Sequence, residues 1–295
     1  MSGWDGIEEF VSVAQYASFK LAAEALGQST SHVSRAVMRL EAKLGEPLFF
    51  RTTRQVTLTD TGRSMLDHCA QMVRDRDEAF ALVGGDTAPQ GELRVTCASA
   101  LGERFVSPIV RRFMQDHPRV NVFLDLSNRQ KDLVAEGFDL AIRTGELDDS
   151  RLIRTLITTR KWRLCASRDY VSQRGIPDSV DSLSDHDCVI GSSEVWQFGP
   201  DSEAREFRPS GRLRCNSGES VLDAVRAGLG YCQLPDFYVR EGIAQGRLIP
   251  VLDEVQPPPE PIWAVYPHRR HLLPRVYLLV EQLKAEMPEL VNGAT

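Results

Sequence analysis

A change of rhythm about a third of the way along the chain constrains its fold more than any other feature. Up to residue 83 apolar residues recur at steps of three and four, the spacing of amphipathic helices. Beyond residue 91 short apolar runs alternate with helical stretches, as in an α/β sheet. Between the two lies Gly84-Gly85-Asp86-Thr87-Ala88-Pro89-Gln90-Gly91, whose glycines and proline read as a linker. The chain must therefore join a small, mainly helical unit to a larger α/β unit.

In the first unit, Trp4, Ile7, Phe10, Val11, Val13 and Ala14 share one helical face. Ser18 is placed to cap a second helix, Lys20 to Leu26, ended by Gly27. A third helix runs from Thr30 to Leu44, with Val33, Val37, Leu40 and Leu44 inward, and Gly45 ends it. Phe49 to Leu58 suits a two-stranded ribbon, and Thr59 is placed to cap a long fourth helix reaching Val83. The fourth helix carries a stripe of Leu66, Cys69, Val73, Phe80 and Val83. A second copy of the helix is the expected cover for that stripe, and its own domain is the alternative.

The stretch from Leu21 to Ala36 has helix-turn-helix spacing. Ala23 is small where the second helix crosses, Gly27 suits a positive φ in the turn, and Val33 packs back on the first helix. The outer face of the third helix offers Thr30, Ser31, His32, Ser34, Arg35 and Met38. Short hydroxyls around a guanidinium fit a major groove, where Arg bonds a guanine edge in bidentate fashion. The net charge is −6, yet between Thr30 and Arg63 the bases Arg35, Arg39, Lys43, Arg51, Arg54 and Arg63 outnumber the acids Glu41, Glu46 and Asp60. Binding to DNA depends on such a local patch rather than on the total.

The segments Ser18-Phe19-Lys20-Leu21-Ala22-Ala23-Glu24-Ala25-Leu26-Gly27, Val33-Ser34-Arg35, Leu40-Glu41-Ala42-Lys43-Leu44-Gly45, Pro47-Leu48-Phe49-Phe50-Arg51-Thr52-Thr53-Arg54 and Leu58-Thr59-Asp60-Thr61-Gly62 resemble the LysR-type transcriptional regulators. Asp132 to Gly145, Gly228 to Pro235 and Gly246-Arg247-Leu248 extend the likeness into the second unit. The resemblance implies a winged helix-turn-helix, a linker helix that forms a homodimer or homotetramer, and a two-lobed α/β effector domain like periplasmic solute-binding proteins. The expected divisions are 1–59, 60–90 and 91–295, with lobe I at 91–162 and 262–295 and lobe II at 163–261. By position, Thr30, Ser31, Ser34 and Arg35 would contact the groove, Arg54 the wing side, and His32, Arg39 and Arg51 complete the DNA-facing set. The family often carries Gln then Pro where this chain has Thr30 and Ser31, and Thr30 cannot grip an adenine edge with two bonds.

In the second unit, strands are expected at Leu93 to Ala98, Val120 to Leu126, Leu140 to Arg143, Arg163 to Ser167, Cys188 to Ile190, Arg212 to Cys215, Gly230 to Leu234 and Ile262 to Tyr266. Helices are expected at Phe105 to Asp116, Lys131 to Glu136, Ser220 to Ala227 and Pro274 to Met287, giving a parallel sheet. Open α/β sheets bind ligands beyond the carboxyl ends of their strands. The candidate effector residues are therefore Ser99, Ala100, Ser127, Asn128, Arg143 and Thr144 from one lobe, and Ser192, Asn216 and Ser217 from the other. Arg143 and the helix start at Ser99 would suit a small organic acid, with a structural ion pair as the alternative for Arg143. Trp196 is expected in the core, with ring stacking on a ligand as the alternative.

Other functions find less support. No Gly-x-Ser-x-Gly elbow, His-Glu-x-x-His or P-loop occurs, so no enzyme and no cofactor is expected. His268 and His271 flank two arginines and read as a basic patch rather than a metal site. The six cysteines lack Cys-x-x-Cys spacing and are expected as buried thiols, with a peroxide-sensing disulfide as the alternative. No apolar run spans a bilayer and no signal peptide is evident, so a cytoplasmic protein is expected. The expected partners are double-stranded DNA, a small-molecule effector, further copies of the chain and RNA polymerase. The competing class is a solute-binding receptor or enzyme built on the α/β part.

Overall fold

The computed structural model describes residues 5–51, 55–83, 88–145, 152–200, 204–267 and 273–293, except for the side chains of 77–83. The chain divides into two compact units, residues 1–88 with 135–137, and 89–134 with 138–295.

The first unit contains α1 (Ile7–Tyr16), α2 (Phe19–Ala25), α3 (Thr30–Leu44), β1 (Phe49–Arg51), β2 (Val56–Leu58) and α4 (Asp60–Val83). Three hydroxyl caps set three of its helix starts. Ser18 Oγ accepts from Leu21 N at 3.3 Å, Ser29 Oγ from His32 N at 3.2 Å, and Thr59 Oγ1 from Gly62 N at 3.0 Å. Each satisfies one of the amides that a helix leaves unbonded in its first turn. Gly27 takes φ +64° in the turn between α2 and α3, as the helix-turn-helix spacing requires. At Gly62 a Cβ would stand 2.2 Å from the Leu48 carbonyl oxygen, so only glycine lets α4 start against the end of the ribbon.

Phe10, Val13, Ala22, Ala23, Val33, Val37, Leu40, Leu48 and Phe49 form this unit's core, together with Cys69 of α4. Met65, Leu66 and Val73 pack on the same core. Over its first half the α4 stripe thus packs on its own domain, the alternative cover expected for it. Cys69 is buried, and Leu66 and Val73 are half-buried, against α1 and its neighbours, because α4 leaves the ribbon running back across the helical unit. The side chains of Phe80 and Val83 lie outside the described residues.

The second unit holds two lobes. Lobe I is a five-stranded sheet in the order β4-β3-β5-β14-β6, built from β3 (Gly91–Cys97), β4 (Val120–Leu126), β5 (Leu140–Thr144), β6 (Leu152–Arg160) and, late in the chain, β14 (Glu260–Pro267). Between β3 and β4 run α5 (Ser99–Leu101), a π turn at Gly102–Val106, and α6 (Ser107–Asp116). A single residue, Lys161, separates β6 from β7 (Trp162–Ser167), where the chain enters lobe II.

Lobe II continues with α7 (Arg168–Arg174), β8 (Val189–Ile190), β9 (Trp196–Phe198), β10 (Arg205–Phe207), β11 (Leu213–Arg214), α8 (Gly218–Arg226), β12 (Cys232–Pro235), α9 (Asp236–Ala244) and β13 (Leu248–Pro250). Its sheet β12-β7-β13 is antiparallel, whereas β8 and β11 pair in parallel. The chain then returns along β14 and ends in α10 (Pro274–Asn292).

Two expectations change here. The parallel sheet is mixed: β3, β4 and β5 are parallel, but β14 runs antiparallel to both β5 and β6, since it enters lobe I from the opposite direction. Lys131 to Glu136 form turns rather than a helix. Asp132 Oδ1 accepts from Val134 N at 3.0 Å, a local bond that competes with helix hydrogen bonding. Among the described residues no helix is long and apolar enough to cross a membrane.

Candidate functional site

On α3 the buried positions Val33, Ala36, Val37 and Leu40 turn the opposite face outward. Thr30, Ser31, His32, Arg35, Met38 and Arg39 are exposed, and Ser34 is half-buried. Arg35 Nε bonds the Ser31 carbonyl at 3.1 Å, one turn back, which lays the guanidinium along the helix surface. Ser31 Oγ sits 3.1 Å from Ser29 Oγ.

Neighbouring carboxylates position the other polar groups. Glu9, itself buried, stands 3.6 Å from His32 Nε2. Asp5 grips Arg39 in a two-bond pair at 2.9 and 3.0 Å, and that hydrogen bond holds the Asp5 carboxyl below its usual range. Arg51 is less available than the sequence suggests. It donates to Glu41 at 2.6 Å and lies 4.7 Å over the Phe19 ring, while Glu41 also accepts from the amides of Leu48 and Phe49. Arg51 therefore ties the ribbon to α2 and α3. Arg54 lies outside the described residues. That Asp5, Glu9 and Glu41 steer this face could not be read from local pattern, because their partners lie 7 to 34 positions away.

Between the two lobes lies a cleft of about 1230 Å³. Ser99, Ala100, Asn128, Thr144, Ser192, Asn216 and Ser217 line it, drawn together from both lobes as the strand-end rule required. Asn128 spans the lobes: its Oδ1 accepts from Ser99 N at 3.2 Å and its Nδ2 donates to the Asn216 carbonyl at 3.2 Å. Ser192 Oγ donates to that same carbonyl at 3.3 Å.

Two expected residues are not brought into the cleft. Ser127 Oγ accepts from Arg129 N at 3.2 Å, and Arg143 turns Nη2 to the Lys131 carbonyl. Alternation along a strand explains Arg143: its neighbour Thr144 points to the cleft, so Arg143 faces the other side of the sheet. Residues the sequence did not single out complete the lining, among them Arg104, Arg160, Trp162, Gln233, Tyr238 and Glu260. They come from separated segments, and only the crossing of β6 and β14 between lobes assembles them. Trp196 is 2% exposed and packs with Leu164, Phe198 and Tyr231 in the lobe II core, in line with the core expectation, and its edge reaches the cleft.

All six cysteines are free thiols. Cys165 and Cys232 face each other across the β7–β12 ladder and both are fully buried. Burial pushes the Cys188 thiol up to about 12 and raises the Cys97 thiol further, which keeps both protonated and unreactive. Among the described residues no group of three or more His, Cys, Asp or Glu could hold a metal, and His268 and His271 lie outside those residues.

Comparison with known proteins agrees with both halves of this geometry. The family described as "Bacterial regulatory helix-turn-helix protein, lysR family" matches residues 4–63, and "LysR substrate binding domain" matches residues 86–288. The HTH-type transcriptional regulator CrgA of Neisseria meningitidis is 34% identical over 284 residues, covering 93% of this chain and 95% of that protein. The HTH-type transcriptional activator TtdR of Escherichia coli is 30% identical over 285 residues, covering 95% and 92%. The full-length structure of AphB, a virulence activator of Vibrio cholerae, aligns with a TM-score of 0.62 at 26% identity, covering 96% of this chain and 99% of that one. These relatives are transcription regulators and not enzymes. The chain belongs to the LysR family of bacterial transcriptional regulators, with a DNA-binding helix-turn-helix and an effector-binding domain of two α/β lobes.

Proposed function

We propose that α3 is the recognition helix of this regulator and that Thr30, Ser31, Ser34 and Arg35 contact the operator, with His32 and Arg39 at the edges of the footprint. The observation that carries the reading is the division of α3. Val33, Val37 and Leu40 are sunk in the core, while hydroxyls and the Arg35 guanidinium stand on the solvent side. Such a set of short hydroxyls and a guanidinium suits the donor and acceptor pattern of a major groove. Arg51 braces the ribbon from its surface through Glu41, and Arg54 serves as the wing cation for backbone or minor groove.

The interlobe cleft is the effector site, with Ser99, Ala100, Asn128, Thr144, Ser192, Asn216 and Ser217 as its polar and backbone lining. The regulator works as a homodimer or homotetramer in the cytoplasm, joined through faces of α4 that its own core leaves free, such as the one bearing the exposed Met72. Effector binding biases the arrangement of the lobes and so the spacing of two recognition helices, which alters contact with RNA polymerase at the promoter. Fluorescence anisotropy with labelled duplexes from the region upstream of the protein's own gene tests the reading. Arg35→Ala should weaken specific binding and relax base preference, and unchanged affinity and preference would remove α3 from recognition.

A further inference from the structure

The cleft already balances its own positive charge. Arg160 donates through Nε to Glu260 Oε2 at 2.6 Å and through Nη2 to Thr144 Oγ1 at 3.3 Å, and its guanidinium lies 4.9 Å from the Trp162 ring centre. Arg104 donates to Glu219 and to the Phe237 carbonyl, the latter at 2.9 Å, and lies 4.6 Å from the Tyr238 ring centre. Glu103 is a further carboxylate on the lining, so the described lining holds two guanidiniums against three carboxylates. The Ser99 amide at the start of α5 already has an acceptor in Asn128, and Arg143 stays out of the cleft.

An entering carboxylate would have to displace Glu219 or Glu260 from its guanidinium. The displaced side chain would then remain beside the ligand, and two like charges in a partly dry site repel strongly. An uncharged ring meets no such opposition. Trp162, Phe198, Phe237 and Pro258 offer apolar wall, while Ser192 and Gln233 supply hydrogen-bonding groups. We infer that the effector is an uncharged, ring-bearing small molecule of the amide or phenol type, and not an organic acid. The inference rests on the reading of this cleft as the effector site.

The test titrates the full-length protein in parallel with benzamide and benzoate, which share a ring and nearly a shape but differ in charge, and follows tryptophan fluorescence. Benzamide should bind at least about tenfold more tightly than benzoate. Glu260→Gln, which leaves Arg160 without its carboxylate, should narrow or reverse that gap. Benzoate binding as tightly as benzamide, or no response to either probe, overturns the inference. Gly191→Trp fills the cleft from a position where an added Cβ meets nothing within 4 Å. Benzamide binding that persists undiminished in this variant would instead overturn the cleft as the effector site, and the inference with it.

Discussion

Arg35 of the first unit and the two arginines of the cleft are treated in opposite ways. On α3 Arg35 stays exposed and bonds a carbonyl of its own helix, so its charge remains available to an outside anion. In the cleft Arg104 and Arg160 are each paired with a glutamate and laid over an aromatic ring, so their charge is spent inside the protein. The difference matches the two ligands. DNA presents a dense row of phosphates that rewards every accessible cation. A cleft for a small molecule instead gains from fixed, internally satisfied polar groups that do not reorganise on binding. An arginine count alone would have called both regions anion sites.

The largest expected effect is in the cleft. Arg160→Ala leaves the half-buried Glu260 without its partner and should cost about 2–4 kcal/mol of stability. Urea unfolding followed by tryptophan fluorescence checks this, since Trp162, Trp196 and Trp263 all lie in the second unit. A midpoint that stays put would reduce the pair to an ordinary surface contact and break the contrast with α3. Arg35→Ala should leave stability within about 0.5 kcal/mol, as expected for an exposed site. In anisotropy titrations the same variant should lose about 1–3 kcal/mol of specific DNA binding.

A smaller effect sharpens the comparison by separating the position of α3 from its chemistry. Ser29→Ala removes the cap bond to His32 N and should destabilise the first unit by about 1 kcal/mol. Hydrogen exchange at the first turn of α3 should report it, and unchanged protection would show that packing alone fixes the helix start. The smallest effect concerns pH. The hydrogen bond from Arg76 holds the Glu8 carboxyl below its ordinary value of 4.5. Because the folded value is the lower one, this contribution is fully present above pH 4.5 and fades as pH falls through the folded value. Thermal melts of Glu8→Gln should therefore lie slightly below wild type at neutral pH and converge with it in acid. A gap that persists in acid would assign the difference to packing rather than charge.

Much of the first unit was legible in the sequence because its signals are local. A capping hydroxyl, a glycine turn and apolar residues three or four apart act within one or two turns, and Ser18, Thr59, Gly27 and Val33 show this. Contacts between distant residues left no such local mark. Glu41 pairs with Arg51 at the surface, and the core around α1 takes the first half of the α4 stripe.

In the second unit most strands, and the polar residues that follow them, could be read from alternation and the strand-end rule, but β6, β9, β10 and β13 could not. Which side chains reach the cleft could not. Arg143 and Thr144 are adjacent in sequence, yet the pleat sends them to opposite faces of β5. Arg160 meets Glu260 only because β14 returns beside β6 after a hundred residues of lobe II. Neighbours along the chain were enough to set the helices, the turn and the outward chemistry of α3. The ion pairing of the cleft came only with the fold, since it depends on which strands are set side by side.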